Sequence, residues 1–451
     1  MNLQRKAYWE LLEWKDKNNR KPLIIRGARQ VGKSTLVEDF SIEFDHYISL
    51  NLENPEDARL FNDIESHKDI VNALLLRLDT FKSGQSILIF LDEIQESPKA
   101  IQQLRYIYEQ YPHLHVIAAG SLLEFTMRKV SSFPVGRVEQ MVLHPFDFEE
   151  FLMAMGKKNV LNEIKQIPIK NFAHDTILKL FHQYVIIGGM PEIVKTYIEE
   201  ESLVNLKDIY DSLWQGYRDD VEKYAGNDTE RKIIRHIIDT ASSEKDRISF
   251  AGFGNSNYRS REVGEAIRTL DLSRIIQLIY PTTNLQPPII PDIKRKPRLQ
   301  FLDSGLLNYS LGIQAELIGV KDLNTFYKGK IIQHVAAQQL QAQNKSPLYK
   351  PLFWVKEKLS SNAEVDLVIQ HEQYIIPIEI KSGDKGRLRS LHQFVENSNH
   401  PYAVRLLANK FSIEEVKTPA GVNYLLMNMP YYLAHKLPQY VSWFIKSHPT
   451  D

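Results

Sequence analysis

Over residues 21–144 the chain alternates short apolar runs with longer polar stretches compatible with helix. The runs are residues 22–26, 46–50, 86–91 and 115–119. They are continuously hydrophobic, which marks strands buried on both faces, and such strands separated by helices build a parallel sheet. Residues 148–242 then read as a long helical region, broken at Gly188-Gly189-Met190-Pro191, where two glycines and a proline force a turn. Residues 245–285 read as a small helical module, with apolar positions at helical spacing over 260–272 and an apolar run at 275–280 that fits the strand of a wing. Residues 281–297 hold five prolines and the run Lys294-Arg295-Lys296, and read as a linker. Beyond Arg298, a helix over 326–343 and strands at 352–356, 364–370, 374–381 and 402–407 predict a second α/β domain. The pattern divides the chain at 1–147, 148–297 and 298–451.

The first predicted strand runs into Gly27-Ala28-Arg29-Gln30-Val31-Gly32-Lys33-Ser34-Thr35, which fits G-x-x-x-x-G-K-[ST] in its required setting between strand and helix. Gly27 and Gly32 permit backbone angles barred to other residues, so that successive N–H groups can turn inward on phosphate oxygens. The helix opening at Lys33 adds its positive end. By this motif ATP and magnesium are the expected ligands: Lys33 reaches the β- and γ-phosphates, and the Ser34 hydroxyl ligates the metal. The run Ile87-Leu-Ile-Phe-Leu-Asp92-Glu93 supplies a buried strand ending in two carboxylates. Asp92 is the second candidate for magnesium, and Glu93 the candidate general base that polarises the attacking water. Ser121, after the third strand, is a candidate contact for the γ-phosphate or the water. Arg137, with Arg128 as the other nearby arginine, is the candidate for an arginine at the γ-phosphate, supplied in cis or by a neighbour.

Composition narrows this only at the margins. The 56 basic residues balance 56 acidic ones, so no whole-protein field draws the chain to nucleic acid or membrane, although a local basic patch is compatible with that balance. Cysteine is absent, which excludes disulfides, thiolate metal sites and cysteine nucleophiles. No apolar run reaches the roughly 18 residues that span a bilayer, and the polar start lacks the core of a signal peptide, so a cytoplasmic location without membrane partners is expected.

Taken together, Arg26-Gly-Ala-Arg-Gln-Val-Gly-Lys-Ser, Leu91-Asp-Glu-Ile-Gln, Ala119-Gly-Ser, Gly136-Arg137 and Pro145-Phe-Asp-Phe resemble a family of bacterial and archaeal AAA-type ATPases. So do Gly188-Gly-Met-Pro, Tyr217-Arg-Asp-Asp-Val, Phe301-Leu-Asp-Ser-Gly-Leu and Ile378-Glu-Ile-Lys-Ser-Gly further on. The resemblance implies an α/β architecture: a P-loop NTPase parallel sheet, a helical and winged-helix middle region, and a C-terminal α/β domain similar to PD-(D/E)xK nucleases. On the predicted hairpin, Glu379 and Lys381 share one strand face and Asp366 can lie opposite, so two carboxylates and a lysine form a candidate second magnesium site for phosphodiester attack. The bland alternative is a solvated face of mixed charge. Gln333 stands where such a core usually carries an acidic residue, and Glu364 is the candidate substitute.

The function expected is ATP binding and hydrolysis, with nucleotide state controlling a nuclease-like, DNA-interacting domain. The alternatives are a nucleotide-switched regulatory protein with an inactive nuclease fold and a module that binds protein. Expected partners are double-stranded DNA and further copies of the chain in a homo-oligomer. Candidate DNA contacts are the cluster at 294–298, the group Lys381, Lys385, Arg387 and Arg389, and Arg259, Arg261 and Arg268 on the winged-helix-like segment, which could equally be a lid on the nucleotide.

Overall fold

The structure, a computed structural model, describes residues 3–449 except 79–81, 83, 122, 128–132, 224, 245, 320–322, 324–329, 358–362 and 382–387. These residues form two compact units. The first comprises Met1–His144 with Leu272–Arg274 and Lys345–Leu348, and the second comprises Pro145–Asp271, Ile275–Asn344 and Tyr349–Asp451.

The first unit is built on strands β1 (Leu23–Arg26), β2 (His46–Asn51), β3 (Ile87–Asp92), β4 (His115–Gly120) and β5 (Glu139–Val142). All neighbours are parallel and the order is β2-β3-β4-β1-β5. The continuous apolar runs have the cause expected of them. Ile87 through Leu91 are each buried, because helices cover both faces of the sheet. Burying five such side chains contributes on the order of 10 kcal/mol before the entropy of ordering them is set against it. Helix Pro98–Gln110 shows how the cover is specified. The Ser97 side chain caps the N–H of Ala100, Pro98 occupies the first turn, and Ala100, Ile101, Leu104 and Ile107 turn one apolar stripe to the sheet.

The second unit holds β6 (Ile276–Ile279), β7 (Pro281–Thr282), β8 (Arg298–Phe301), β9 (Leu352–Val355), β10 (Glu364–His371), β11 (Tyr374–Ile380), β12 (Tyr402–Leu407), β13 (Ser412–Lys417) and β14 (Asn423–Pro430). Seven of them form a mixed sheet in the order β13-β14-β12-β11-β10-β9-β7, and β6 and β8 form an antiparallel ribbon. The expected hairpin is present as β10 and β11, and helix Ser260–Leu272 lies where its spacing placed it. The helical region breaks between His174–Ile187 and Pro191–Glu200, as the glycines and proline require.

Two expectations are corrected. Residues 281–297 are not a linker: Pro281 and Thr282 pair with Phe353 and Trp354. The N–H of Asp292 returns to the Pro281 carbonyl at 2.7 Å, and Arg295 binds both Asp292 and the carbonyl of Lys356. Prolines are tolerated because β7 is an edge strand, where a missing N–H breaks no ladder. Nor does the chain divide at 297/298. The Gln339 side chain accepts the N–H of Phe148, and Asn308 donates to the Val185 carbonyl, so both stretches share one core. Of the helix expected over 326–343, residues 326–329 lie outside the described ones and Lys330–Gln343 is helical.

One knot in this core gathers several of the sequence marks. Asp303 is fully buried and accepts the N–H groups of Gly189, Gly305 and Leu306 at 2.6, 2.9 and 3.1 Å. A Cβ on Gly188 would strike the Asp303 carboxylate, one on Gly189 the Phe146 carbonyl, and one on Gly305 the Ile187 carbonyl. Burial pushes the Asp303 carboxyl up to about 6 despite those three donors. These marks are therefore positions of close backbone approach rather than of chemistry.

Candidate active site

In the first unit the chain leaves β1 at Arg26 and enters Gly27, whose positive φ and closeness to the Leu143 carbonyl leave no room for a side chain. Gln30 and Gly32 also take left-handed backbone angles, φ 61° and 89°, and the turn closes into helix Lys33–Phe40. Ala28 and Val31 are buried beneath the loop, while Gln30 and Thr35 are exposed and Arg29 is half-buried. Lys33 is 6 % exposed, and its Nζ donates to the carbonyls of Gly27 and Ala28 at 3.1 and 3.0 Å. Burial drives the ammonium down from its ordinary value, opposed by the charges of Glu93 and Asp92. A buried lysine held by its own loop carbonyls, opposite two carboxylates, is a cation waiting for an anion.

The parallel register brings the other groups to the same edge. Gly120 pairs with Arg26, so Ser121, buried, follows β4 beside the start of the loop. β4 also pairs with β3, which ends in Asp92. Ser34 Oγ donates to Asp92 Oδ2 at 2.6 Å, so the two expected magnesium ligands already face each other. Burial pushes the Asp92 carboxyl up, and the Ser34 hydrogen bond resists it. The residues fit the ligands that the motif implies: a hydroxyl and a carboxylate converge for a divalent cation, and inward backbone and a buried ammonium for phosphate. Glu93 sits directly after Asp92 in a left-handed conformation (φ 48°, ψ 46°), which turns it out of the strand direction.

Arg137 is not brought to this edge. It is exposed, precedes β5 at the strand's opposite end, and pairs with Glu109 at 3.2 Å near the C-terminus of helix Pro98–Gln110. Arg128 lies outside the described residues.

Three residues near the loop, Arg5, Glu124 and Gln95, were given no role by the sequence reading. Arg5 is buried and donates to the carbonyls of Val31 at 2.8 Å and His144 at 2.7 Å, bracing the loop from below. Glu124, just beyond β4, lies 3.7 Å from Arg26 and 3.1 Å from Arg274. Gln95 donates through Nε2 to Glu93 Oε2 at 2.5 Å. Their roles rest on contacts distant in sequence; only Gln95, inside the quoted Leu91-Asp-Glu-Ile-Gln, carried a local signal.

The second carboxylate group is also assembled. With Leu367 opposite Ile378, the antiparallel register puts Asp366 opposite Glu379, and Lys381 Nζ lies 2.7 Å from Glu379 Oε1. Every one of these groups has a protein partner. Asp366 Oδ1 accepts Gln333 Nε2 at 2.8 Å and Oδ2 accepts the N–H of Ile380 at 2.9 Å. Arg298 donates to the Asp366 carbonyl at 3.0 Å, pairs with Glu364 and lies over the Phe353 ring. Glu364 also pairs with Arg247 at 3.0 Å. Glu379 is 3 % exposed; burial and the Asp366 charge outweigh Lys381 and push its carboxyl up to about 8. A buried carboxyl pushed upward and tied to a lysine, beside a carboxylate held by an amide and a backbone N–H, makes a poor divalent-cation site. Among the described residues no group of three or more acidic, histidine or cysteine side chains is arranged to hold a metal. The polar row continues across the sheet through Arg405 and Asn428, which pair with Glu379 and Arg405 respectively.

The basic clusters divide. Arg295 and Arg298 are spent on internal partners, and Lys385 and Arg387 lie outside the described residues. Arg389 is exposed, as are Arg259, Arg261 and Arg268, while the opposite face of helix Ser260–Leu272 buries Val263, Ala266, Ile267 and Leu270.

Three family models match separate stretches of the chain. The family model of an AAA domain matches residues 19–152, and two models of domains of unknown function, DUF8612 and DUF4143, match residues 178–317 and 328–427. No curated protein matches. Among solved structures, a Walker-type ATPase of Pyrococcus abyssi is 12 % identical, with 68 % of this chain and 96 % of that chain covered at a TM-score of 0.45. The RuvB Holliday junction branch migration motor of Thermotoga maritima is 16 % identical, with 65 % and 93 % covered at a TM-score of 0.26. Drosophila ORC bound to DNA is 13 % identical, with 68 % and 94 % covered at a TM-score of 0.28. No helix among the described residues is long and apolar enough to cross a membrane.

Proposed function

We propose that this chain, whose residues 19–152 match an AAA domain, binds and hydrolyses ATP at the edge formed by β1, β4 and β3. The observation that carries the reading is the 2.6 Å contact of Ser34 with Asp92, made across two strands, with Glu93 adjacent. When bound, magnesium-ATP supplies an electrophilic phosphoryl group whose charge the metal helps to neutralise. Lys33 and the inward N–H groups bind the phosphates, Ser34 and Asp92 hold the metal, and Glu93 takes the proton from the attacking water. Ser121 is proposed to orient that water or the γ-phosphate, a role supported by the pairing of the preceding Gly120 with Arg26. Arg137 is too distant from its own loop for this, so an arginine role for it belongs to a neighbouring copy in a homo-oligomer.

For the second unit, we read the closed carboxylate group as a nuclease-like fold that binds rather than cleaves. DNA is the partner proposed for the exposed arginines of helix Ser260–Leu272, and nucleotide state is proposed to govern that binding. Metal-dependent cleavage by Asp366, Glu379 and Lys381 is the second reading, favoured by the register that brings them together.

The test is ATP turnover by wild type and Glu93→Gln, with and without double-stranded DNA, alongside cleavage assays in magnesium and manganese. Turnover that Glu93→Gln removes and DNA stimulates, without cleavage, is the expected result. Turnover untouched by Glu93→Gln would sink the assignment of the base, and metal-dependent cleavage lost in Asp366→Ala would replace the closed-site reading by the second.

A further inference from the structure

We infer that Gln95 is the positioning residue that holds the Glu93 carboxylate in place for water activation; the inference rests on the ATP-hydrolysis reading above. Glu93 follows the strand in a left-handed turn, a conformation that costs a non-glycine residue free energy and persists only where neighbours fix it. Gln95 is that neighbour. Its Nε2 donates to Glu93 Oε2 at 2.5 Å, and the Gln95 side chain is itself immobilised, with the residue 8 % exposed. Two further contacts fix Gln95. Thr126 Oγ1, from the helix after β4, donates to the Gln95 carbonyl at 3.2 Å. Gly120, the last residue of β4, lies so close that a Cβ there would strike Gln95 Oε1. Glycine at this point of Ala119-Gly-Ser is therefore explained by the glutamine it must admit.

The amide orientation is set by chemistry, since a carboxylate accepts and only the Nε2 end can donate. Gln95 Oε1, turned the other way, is buried and meets no donor of the protein. A buried acceptor left without a donor is tolerated where the opposite end of the amide is needed. What the fold secures here is one charge-assisted hydrogen bond to the carboxylate that must receive a proton. The charged groups facing this carboxylate are Asp92 on its own strand and Lys33 from the phosphate loop, with Arg29 and Glu124 acting on the same lysine.

The experiment is steady-state ATP turnover of this chain as wild type, Gln95→Ala and Gln95→Glu, with equilibrium binding of a fluorescent ATP analogue. Gln95→Ala is expected to lower kcat by roughly 10- to 100-fold while KM and analogue binding stay within about twofold, because only the base is misplaced. Gln95→Glu, nearly isosteric, replaces the donor by a second carboxylate and is expected to lower kcat at least as far as Gln95→Ala, with analogue binding again within about twofold. Gln95→Ala and Gln95→Glu rates both within about twofold of wild type overturn the inference. Loss of analogue binding together with turnover in both variants also overturns it, since that is the signature of a merely structural role. A wild type that binds the analogue but never turns ATP over sinks the hydrolysis reading and this inference with it, a result distinct from an active wild type with active variants.

Discussion

Two pairs of carboxylates end up beside a basic residue in this molecule, and they are treated in opposite ways. Asp92 and Glu93 are neighbours in sequence at a strand's end, where Asp92 accepts the Ser34 hydroxyl and the N–H of Glu93, Glu93 accepts one amide, and the nearby lysine donates to loop carbonyls. Asp366 and Glu379 are neighbours across two strands inside a sheet, where an amide, a backbone N–H, a lysine and an arginine surround them. The first sets a hydroxyl oxygen beside a carboxylate, two oxygen ligands suited to a divalent cation. The second ties its carboxylates to nitrogen donors, although Oε2 of Glu379 is buried and meets no donor. Carboxylates and a lysine on one surface are thus no measure of a metal site; what decides is whether the side chain beside the carboxylate is itself an oxygen ligand, as Ser34 is, or a nitrogen donor, as Gln333 and Lys381 are.

The comparison breaks first at the nucleotide loop. Glu93→Gln is expected to lower kcat by about 10²- to 10⁴-fold with nucleotide binding retained, whereas Lys33→Ala should abolish binding itself; titration with a fluorescent analogue separates the two. On the other side, Asp303→Ala strands three buried N–H groups and is expected to destabilise the second unit by about 3–5 kcal/mol in urea denaturation, while ATP binding by the first unit survives. The Glu379 carboxyl offers a sharper probe. Its folded value, about 8, lies above the ordinary 4.5, so its favourable contribution is fully present below about pH 4.5 and is lost as pH rises through about 8. Glu379→Gln should therefore flatten the fall in stability of the second unit across that window, and a mutant curve parallel to wild type would contradict the buried, proton-binding state. The smallest effect expected is that of Asp366→Asn on ATP turnover, within about twofold, because that group takes no part in nucleotide chemistry.

The first unit could be read from the chain because its information is local. A glycine-rich loop, its strand and its helix occupy adjacent residues, and the continuously apolar Ile87-Leu-Ile-Phe-Leu marks a doubly covered strand without reference to anything else. The second unit resists this. β13, Ser412-Ile-Glu-Glu-Val-Lys417, is an edge strand with only Ile413 and Val416 partly buried, so its pattern shows no apolar face. The prolines of 281–297 mimic a linker because an edge strand and a folded-back loop tolerate them as well as a linker does. Gln333 was legible as a departure from an acidic residue, but its bond to Asp366 needed the helix and the sheet together. Arg5 and Glu124 take their meaning from contacts that no spacing rule reports, and Gln95, two residues from Glu93, is fixed by Gly120 at the end of β4 and by Thr126 beyond it.

The most direct test of the contrast is to count bound manganese by electron paramagnetic resonance in wild type, Asp92→Ala and Asp366→Ala, with and without a non-hydrolysable ATP analogue. The account predicts one ion per chain, bound only with the nucleotide, lost in Asp92→Ala and retained in Asp366→Ala. A second ion that binds without nucleotide and disappears in Asp366→Ala would show that the carboxylates of the second unit are open after all.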